Sequence, residues 1–168
     1  MTANRVIVLN ADMSILGTTN WKRAIRLIVK GTAEVISESE RVVHPSMKVP
    51  NIIRLIKAIR HLWRKEVPWT KPRVHVRDLY QCQYCGRHLS KHNATVDHVI
   101  PKSHGGKDRW ENTVCSCFSC NNTKDNRTPS QANMTLLRQP HKPTIMEFML
   151  RKIKAEGLEQ VLKDLDVY

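Results

Sequence analysis

Thr95-Val96-Asp97-His98-Val99-Ile100-Pro101 lies between two Cys-x-x-Cys pairs, Cys82/Cys85 and Cys117/Cys120. Each pair sets two thiolates on a tight knuckle, within about 2.3 Å bonding reach of one zinc ion, and Gly86 provides the turn of the first. A zinc ribbon separates its pairs by roughly 15–20 residues. Here residues 86–116 intervene. The extra length carries the Asp97-His98 pair and Asn112, and Asn121 follows the last Cys directly. The sulfur ligands therefore look like a clamp around a polar site.

Four thiolates fill the tetrahedral preference of zinc and leave no open position. A metal held by Cys82, Cys85, Cys117 and Cys120 is thus expected to hold the fold without doing chemistry. Modules with few apolar residues need such a staple. An iron–sulfur cluster suits these thiols less, because the acidic and amide-rich surroundings do not suggest redox work. Of five Cys, Cys115 is left over and reads as a small buried residue. Val6-Ile7-Val8-Leu9 is too short for a secretory h-region and is followed by Asn10 and Asp12. No run approaches the ~18 apolar residues of a membrane span. Metal-bound thiolates in a reducing cytoplasm fit better than a disulfide framework.

The chain has 168 residues, enough for one domain or two small lobes. Its 28 Lys and Arg against 15 Asp and Glu give a net charge of +13. A positive field of that size favours a polyanion, through counterion release from phosphates. A purposeless basic surface or an anionic lipid surface are the duller readings. Nucleic acid is the expected partner, and charge does not separate DNA from RNA.

Three segments are expected: an α/β lobe over 1–72, a Cys-bounded module over 73–140 and a helical extension over 141–168. In the first, Arg5–Leu9 reads as a strand and Asn10–Ser14 as a turn. Asn20 caps a helix, since Trp21, Ala24, Ile25, Ile28 and Val29 keep helical spacing up to a stop at Gly31. Ala33–Ile36 and Val42–Val43 read as strands. Ile52, Leu55, Ile56, Ile59, Leu62 and Trp63 predict a helix over Asn51–Lys65, although the β-branched start also suits a strand. Glu66–Pro72 is a connector. Thr128-Pro129-Ser130-Gln131 has capping-box form and predicts a helix to about Leu137. Thr144-Ile145-Met146-Glu147 repeats that form and opens a helix that Gly157 interrupts, before a last turn to about Leu165.

Across about Val74–Pro140 the chain resembles the zinc-containing branch of the HNH endonuclease family. The resemblance rests on Cys82-Gln83-Tyr84-Cys85-Gly86, Val96-Asp97-His98-Val99-Ile100-Pro101-Lys102-Ser103 and Gly105-Gly106. It continues through Trp110-Glu111-Asn112 and Cys117-x-x-Cys120-Asn121-x-x-Lys124. Val8-Leu9-Asn10-Ala11-Asp12 and Trp21-Lys22-Arg23-Ala24-Ile25 also look like the lobe that precedes the nuclease module in some members. The resemblance implies an α+β fold: a ββα-metal finger stapled by the four-cysteine zinc, a small mixed α/β lobe before it and helices after it. With Asn at the third position the motif is an H-N-N version.

The chemistry implied is metal-dependent hydrolysis of a phosphodiester. It needs a base to take a proton from water and positive charge against the phosphate. His98 is the expected base, because an imidazole with pKa near ~6.5 is mostly unprotonated at neutral pH. By the resemblance, Asn112 orients the imidazole or steadies its loop, while Asp97 and Asn121 offer oxygen ligands to Mg²⁺ or Mn²⁺. Lys102, Lys124 and Arg127 are candidates for holding the substrate backbone. His104 reads as a phosphate or surface contact, and Trp110 as core. DNA is favoured over RNA, nicking is the default, and the chain is expected as a monomer or homodimer.

Each residue has a duller explanation. An Asp-His pair is often a turn or core hydrogen bond, Asn112 a helix cap, Asn121 a knuckle residue. The rival function is a zinc-stabilised nucleic-acid-binding protein without cleavage. A zinc deaminase is set aside, because its His-x-Glu and Pro-Cys-x-x-Cys are absent.

Overall fold

The computed structural model describes residues 5–60 and 66–164. They group into two compact units, one drawn from positions 1–65 with 145–168 and the other formed by Glu66–Thr144. The stretch from Ile145 onward, placed in a separate extension by the sequence division at 140/141, thus clusters with the N-terminal strands.

The first unit is a four-stranded sheet in the order β2-β1-β4-β3. Strand β1 is Arg5–Leu9, β2 is Ile15–Asn20, β3 is Ala33–His44 and β4 is Met47–Leu55. β1 runs antiparallel to β2 and parallel to β4, with Ile7 opposite Ile52. Helix α1, Trp21–Val29, starts where Asn20 accepts from the backbone N–H of Arg23 at 2.8 Å. Helices α4, Ile145–Ala155, and α5, Glu159–Lys163, are separated at Gly157 (φ +72°). Residue 165, the expected end of that last turn, lies outside the described residues.

Both faces of the sheet are covered. Ile7, Leu9, Ile15 and Ile52 pack with Ile153, Leu158 and Leu162. Val6, Ala33 and Ile53 pack with Ala24, Trp21, Leu27 and Ile28 from the α1 segment. This two-sided burial corrects the expected helix over Asn51–Lys65. A central strand with both faces buried shows a continuous apolar run in place of alternation, and Ile52-Ile53 imitates a helical start. The strand wins because β1 and β3 pair with β4 on its two sides. Arg54 on this strand pairs with Glu34 of β3. The expected helix also ran over residues 61–65, which lie outside the described residues. Ala33–Ile36 and Val42–Val43 belong to one strand with register irregularities.

The second unit has the α+β composition expected of it. Helix α2, Lys71–Arg77, leads into the first Cys pair. Strands β5, Ala94–His98, and β6, Thr113–Cys117, form an antiparallel hairpin with Asp97 opposite Val114. Helix α3, Phe118–Lys124, follows directly, completing a ββα unit. Arg77, 2% exposed, ties α2 to this hairpin. It donates to the carbonyls of Trp110 (2.8 Å) and Thr113 (2.7 Å) and pairs with Asp78. Asp78 in turn accepts from Cys115 N–H at 2.7 Å. Trp110 is core as expected, its Nε1 donating to Val67 O at 2.8 Å.

The expected helix from Thr128 to Leu137 is corrected to one turn. Its capping box forms, with Thr128 N–H donating to Gln131 Oε1 at 2.8 Å and Gln131 N–H to Thr128 Oγ1 at 3.3 Å. Asn133 then adopts φ +53°, and Leu137 N–H donates to Gln83 O at 2.8 Å. The segment is held against the first Cys pair by that bond and leaves the helical path to reach it. Among the described residues no helix is long and apolar enough to cross a membrane.

Candidate active site

The four thiols come together as the spacing requires. Cys82 and Cys85 occupy a knuckle closed by Gly86 N–H on Cys82 O and Cys82 N–H on Arg87 O, both 2.9 Å. Cys117 ends β6 and its sulfur accepts from Cys120 N–H at 3.4 Å, so the second knuckle is the first turn of α3. All four ligand atoms lie within 4.8 Å of one another. Burial opposes ionisation of Cys82, but hydrogen bonds from the backbone of Cys85, Cys117 and Tyr84 outweigh it and bring the thiol to about 7. A cluster of four sulfurs with one already inclined to thiolate fits a single zinc ion. Cys115 stays outside the cluster. Its sulfur lies 3.4 Å from His75 Nδ1, and burial, then the Asp78 carboxylate, pushes its thiol up to about 12.

Strand β5 carries the polar pair. Asp97, 6% exposed, faces the helix that follows the hairpin: its Oδ1 lies 3.2 Å from Lys124 Nζ, and its Oδ2 accepts from Tyr84 OH at 2.5 Å. Burial, then the Asp97 carboxylate, pushes the Tyr84 hydroxyl far above the ordinary phenol value, so it remains a donor. Thr95 is two residues before Asp97 and shares its face of the strand. Its Oγ1 accepts from Asn121 Nδ2 at 3.3 Å. Asn121 and Lys124, three apart on α3, thus share one helix face and meet Thr95 and Asp97 in that order. Asp97 and Asn121 are brought to the same side of β5 without bonding each other.

His98 ends the strand and has different partners. Its Nε2 lies 2.7 Å from Asp108 Oδ1, and Asp108 Oδ2 accepts from Lys102 Nζ at 2.9 Å. Lys102, then His98, holds the Asp108 carboxyl below its ordinary value. The polar contacts of His98 and Asp97 go to different residues, Asp108 for the first and Lys124 and Tyr84 for the second.

Asn112 builds the loop between them. It is 2% exposed, accepts from Ile100 N–H at 2.9 Å, and donates to Ile100 O (3.1 Å) and Lys107 O (3.2 Å). Its backbone oxygen accepts from Val99 N–H at 2.9 Å. Of the two roles expected for Asn112, these bonds are those of a loop brace directly behind His98. Gly106 completes the brace, since a Cβ there would fall 1.7 Å from Ile100 O.

The basic candidates divide. Lys102 is exposed beside His98. Arg127 is exposed, with its guanidinium on the carbonyls of Thr123 (2.6 Å) and Lys124 (3.4 Å) at the end of α3. Lys124 corrects the surface expectation: it is 1% exposed, and its ammonium also donates to Arg127 O at 2.9 Å. No phosphate backbone reaches it there without rearrangement. Sequence reasoning missed Tyr84 and Asp108. Tyr84 stood inside the first Cys pair, where its position gave a signal; Asp108 gave none, because its pairing depends on how the Gly105-Gly106 loop closes.

A ββα unit whose helix begins on a cysteine knuckle, with an Asp-His pair at the strand end, defines a class of nuclease fold. Residues 82–127 match the model of the HNH endonuclease family, and residues 6–63 match that of the HNH endonuclease-associated N-terminal domain. The chain therefore carries an HNH endonuclease domain behind the N-terminal domain associated with it. It is also similar to the CRISPR-associated endonuclease Cas9 of Corynebacterium diphtheriae, 38% identical over 47 residues. That stretch is 27% of this chain and 4% of that protein.

Proposed function

We propose that the chain is a cytoplasmic, divalent-metal-dependent endonuclease that hydrolyses DNA phosphodiester bonds, nicking one strand at a time, with His98 as general base. The observation that carries this is His98 at the end of β5, next in sequence to Asp97, on the strand against which α3 sets Asn121. The net charge of +13 supports a nucleic-acid substrate. One site of this kind makes one cut, so double-strand cleavage needs a homodimer or two visits by a monomer.

Zinc would be held by Cys82, Cys85, Cys117 and Cys120 and would act as a staple only. The catalytic cation would be held by the Asp97 carboxylate and the Asn121 amide oxygen, a donor set suited to Mg²⁺ or Mn²⁺. The bond of Asn121 Nδ2 to Thr95, which shares the Asp97 face of β5, supports this placement, since it leaves the amide oxygen of Asn121 available on that side. When bound, such a cation supplies positive charge against the phosphate and the leaving oxygen. His98 takes a proton from the attacking water, contributing about 10²–10⁴ in rate. The water oxygen joins phosphorus as the bond to the 3′ oxygen breaks, and that oxygen takes a proton from solvent. The products carry 5′-phosphate and 3′-hydroxyl ends. Asn112 keeps the Val99–Ile100 backbone behind His98 fixed during the step, and Lys102 and Arg127 offer cations to the substrate backbone.

One observation favours a second reading, a zinc-stabilised nucleic-acid-binding protein without cleavage. Both Asp97 oxygens are already engaged, by Lys124 and Tyr84. A supercoiled-plasmid assay separates the two. Mg²⁺ or Mn²⁺ is added or omitted, not chelated, since a chelator also strips thiolate zinc. Wild type is expected to nick only with the cation, and His98→Ala to bind DNA and retain zinc without nicking. Equal nicking by both proteins removes His98 from the reaction. No nicking with either cation leaves the binding protein.

A further inference from the structure

The contact between His98 and Asp108 is not needed to explain the fold. Asp108 is an exposed loop residue ten positions beyond His98, and an exposed ion pair contributes little to stability. Its geometry is nevertheless specific. One carboxylate oxygen lies 2.7 Å from His98 Nε2 and the other 2.9 Å from Lys102 Nζ, so the carboxylate is gripped from both sides. An ionised carboxylate only accepts hydrogen bonds. Nε2 must therefore carry the hydrogen, and in the neutral ring Nδ1 is left with the lone pair.

We propose that Asp108 is a positioning residue for His98: it takes the Nε2–H, fixes the ring, and makes Nδ1 the nitrogen that accepts the proton from water. The inference rests on His98 being the base. It adds which nitrogen acts and what sets it. When Nδ1 gains the proton, the Asp108 carboxylate stabilises the imidazolium without itself becoming protonated, the role a carboxylate plays behind a catalytic histidine elsewhere. The loop braced by Asn112 and Gly106 connects the two partners, so the brace and the dyad are parts of one device. Lys102 then has a task besides any phosphate contact, holding the far oxygen so that the near one stays on His98.

Two measurements on the zinc-loaded full chain test this. In the first, ¹⁵N-histidine NMR at mildly alkaline pH reads the His98 tautomer, with the signal assigned by its loss in His98→Gln. Wild type is expected as the Nε2–H form, and Asp108→Ala as a mixture. In the second, plasmid nicking is followed for wild type, Asp108→Asn and Asp108→Ala. Losses of oriented partners behind an imidazole run at about 10–100-fold, so Asp108→Ala is expected to lower kcat by about that factor with KM unchanged. Asp108→Asn should fall between, because an amide oxygen still accepts from Nε2–H but carries no charge. A change in KM alone would point to a substrate contact and overturn the proposal. So would an Nδ1–H tautomer in wild type, or an Asp108→Ala protein with kcat and tautomer unchanged. If wild type nicks with neither Mg²⁺ nor Mn²⁺, the endonuclease reading and the base role fall together. The tautomer spectrum then still decides whether Asp108 sets the ring.

Discussion

Lys124 holds its ammonium 3.2 Å from Asp97 Oδ1 in the interior of the nuclease unit, with the two side chains 1% and 6% exposed. Breaking a buried pair by removing one partner leaves an uncompensated charge and costs about 3–5 kcal/mol. Lys124→Met is therefore expected to lower the denaturation midpoint of the zinc-loaded chain strongly. The double variant Asp97→Asn/Lys124→Met should recover much of the loss, because it leaves no buried charge unpaired. Urea titration of the four proteins as a double-mutant cycle reads this coupling. Additive losses would mean the pair is not a stabilising contact.

The thiols predict a different pattern. Cys82→Ser removes one of four clustered sulfurs and should lose the metal and the tertiary structure of residues 66–144 together, since binding free energy at such a site is folding free energy. Cys115→Ser, equally rich in sulfur by sequence, should keep one zinc per chain, because Cys115 is bonded to His75 and remains a thiol. Metal analysis beside near-ultraviolet circular dichroism checks both. Zinc loss from Cys115→Ser would place the fifth cysteine among the ligands.

Much of this is legible in the amino-acid sequence itself. The 33–36 and 42–43 segments, the Asn20 cap and the four-sulfur cluster follow from local spacing and side-chain chemistry alone. What failed did so for long-range reasons. Ile52-Ile53 lies between β1 and β3, and burial on two faces removes the alternation that marks a strand. Thr128–Gln131 forms its capping bonds, yet the bond of Leu137 to Gln83 diverts the chain after one turn. Lys124 looked like a surface cation because only packing against β5 reveals its partner. Within the site, the residues themselves were readable and their contacts were not.

Gly105 and Gly106 are adjacent for unlike reasons, and a pair of variants separates them. Gly105 has φ +83° with open space around it, so Gly105→Ala meets only the left-handed penalty of about 1–2 kcal/mol. A Cβ at Gly106 would lie 1.7 Å from Ile100 O and 2.8 Å from Asn112 Nδ2. The first of these is backbone and has no rotamer to escape by. Gly106→Ala should therefore displace the loop behind His98 and reduce nicking well below Gly105→Ala, with zinc retained in both. Equal activities would mean the brace does not support the reaction.

Acid stability supplies the last test. His75 lies on α2 against Cys115 and is stacked on Tyr80 at 5.7 Å between centroids. Burial lowers its pKa below the ordinary 6.5, against an opposing pull from the Asp78 carboxylate. Because the folded pKa is the depressed one, the unfolded chain binds this proton first as pH falls. The contribution is intact above 6.5 and is lost as pH falls from there through the folded value. His75→Gln cannot take up the proton, so its stability should fall less than that of wild type across that window. The remaining titrating groups, zinc thiolates included, are common to both proteins and cancel in the difference. Thermal melts of the two zinc-loaded proteins from neutral to mildly acidic pH measure it. A difference that stays flat with pH would show that His75 titrates alike in folded and unfolded chains, and that its burial carries no electrostatic cost.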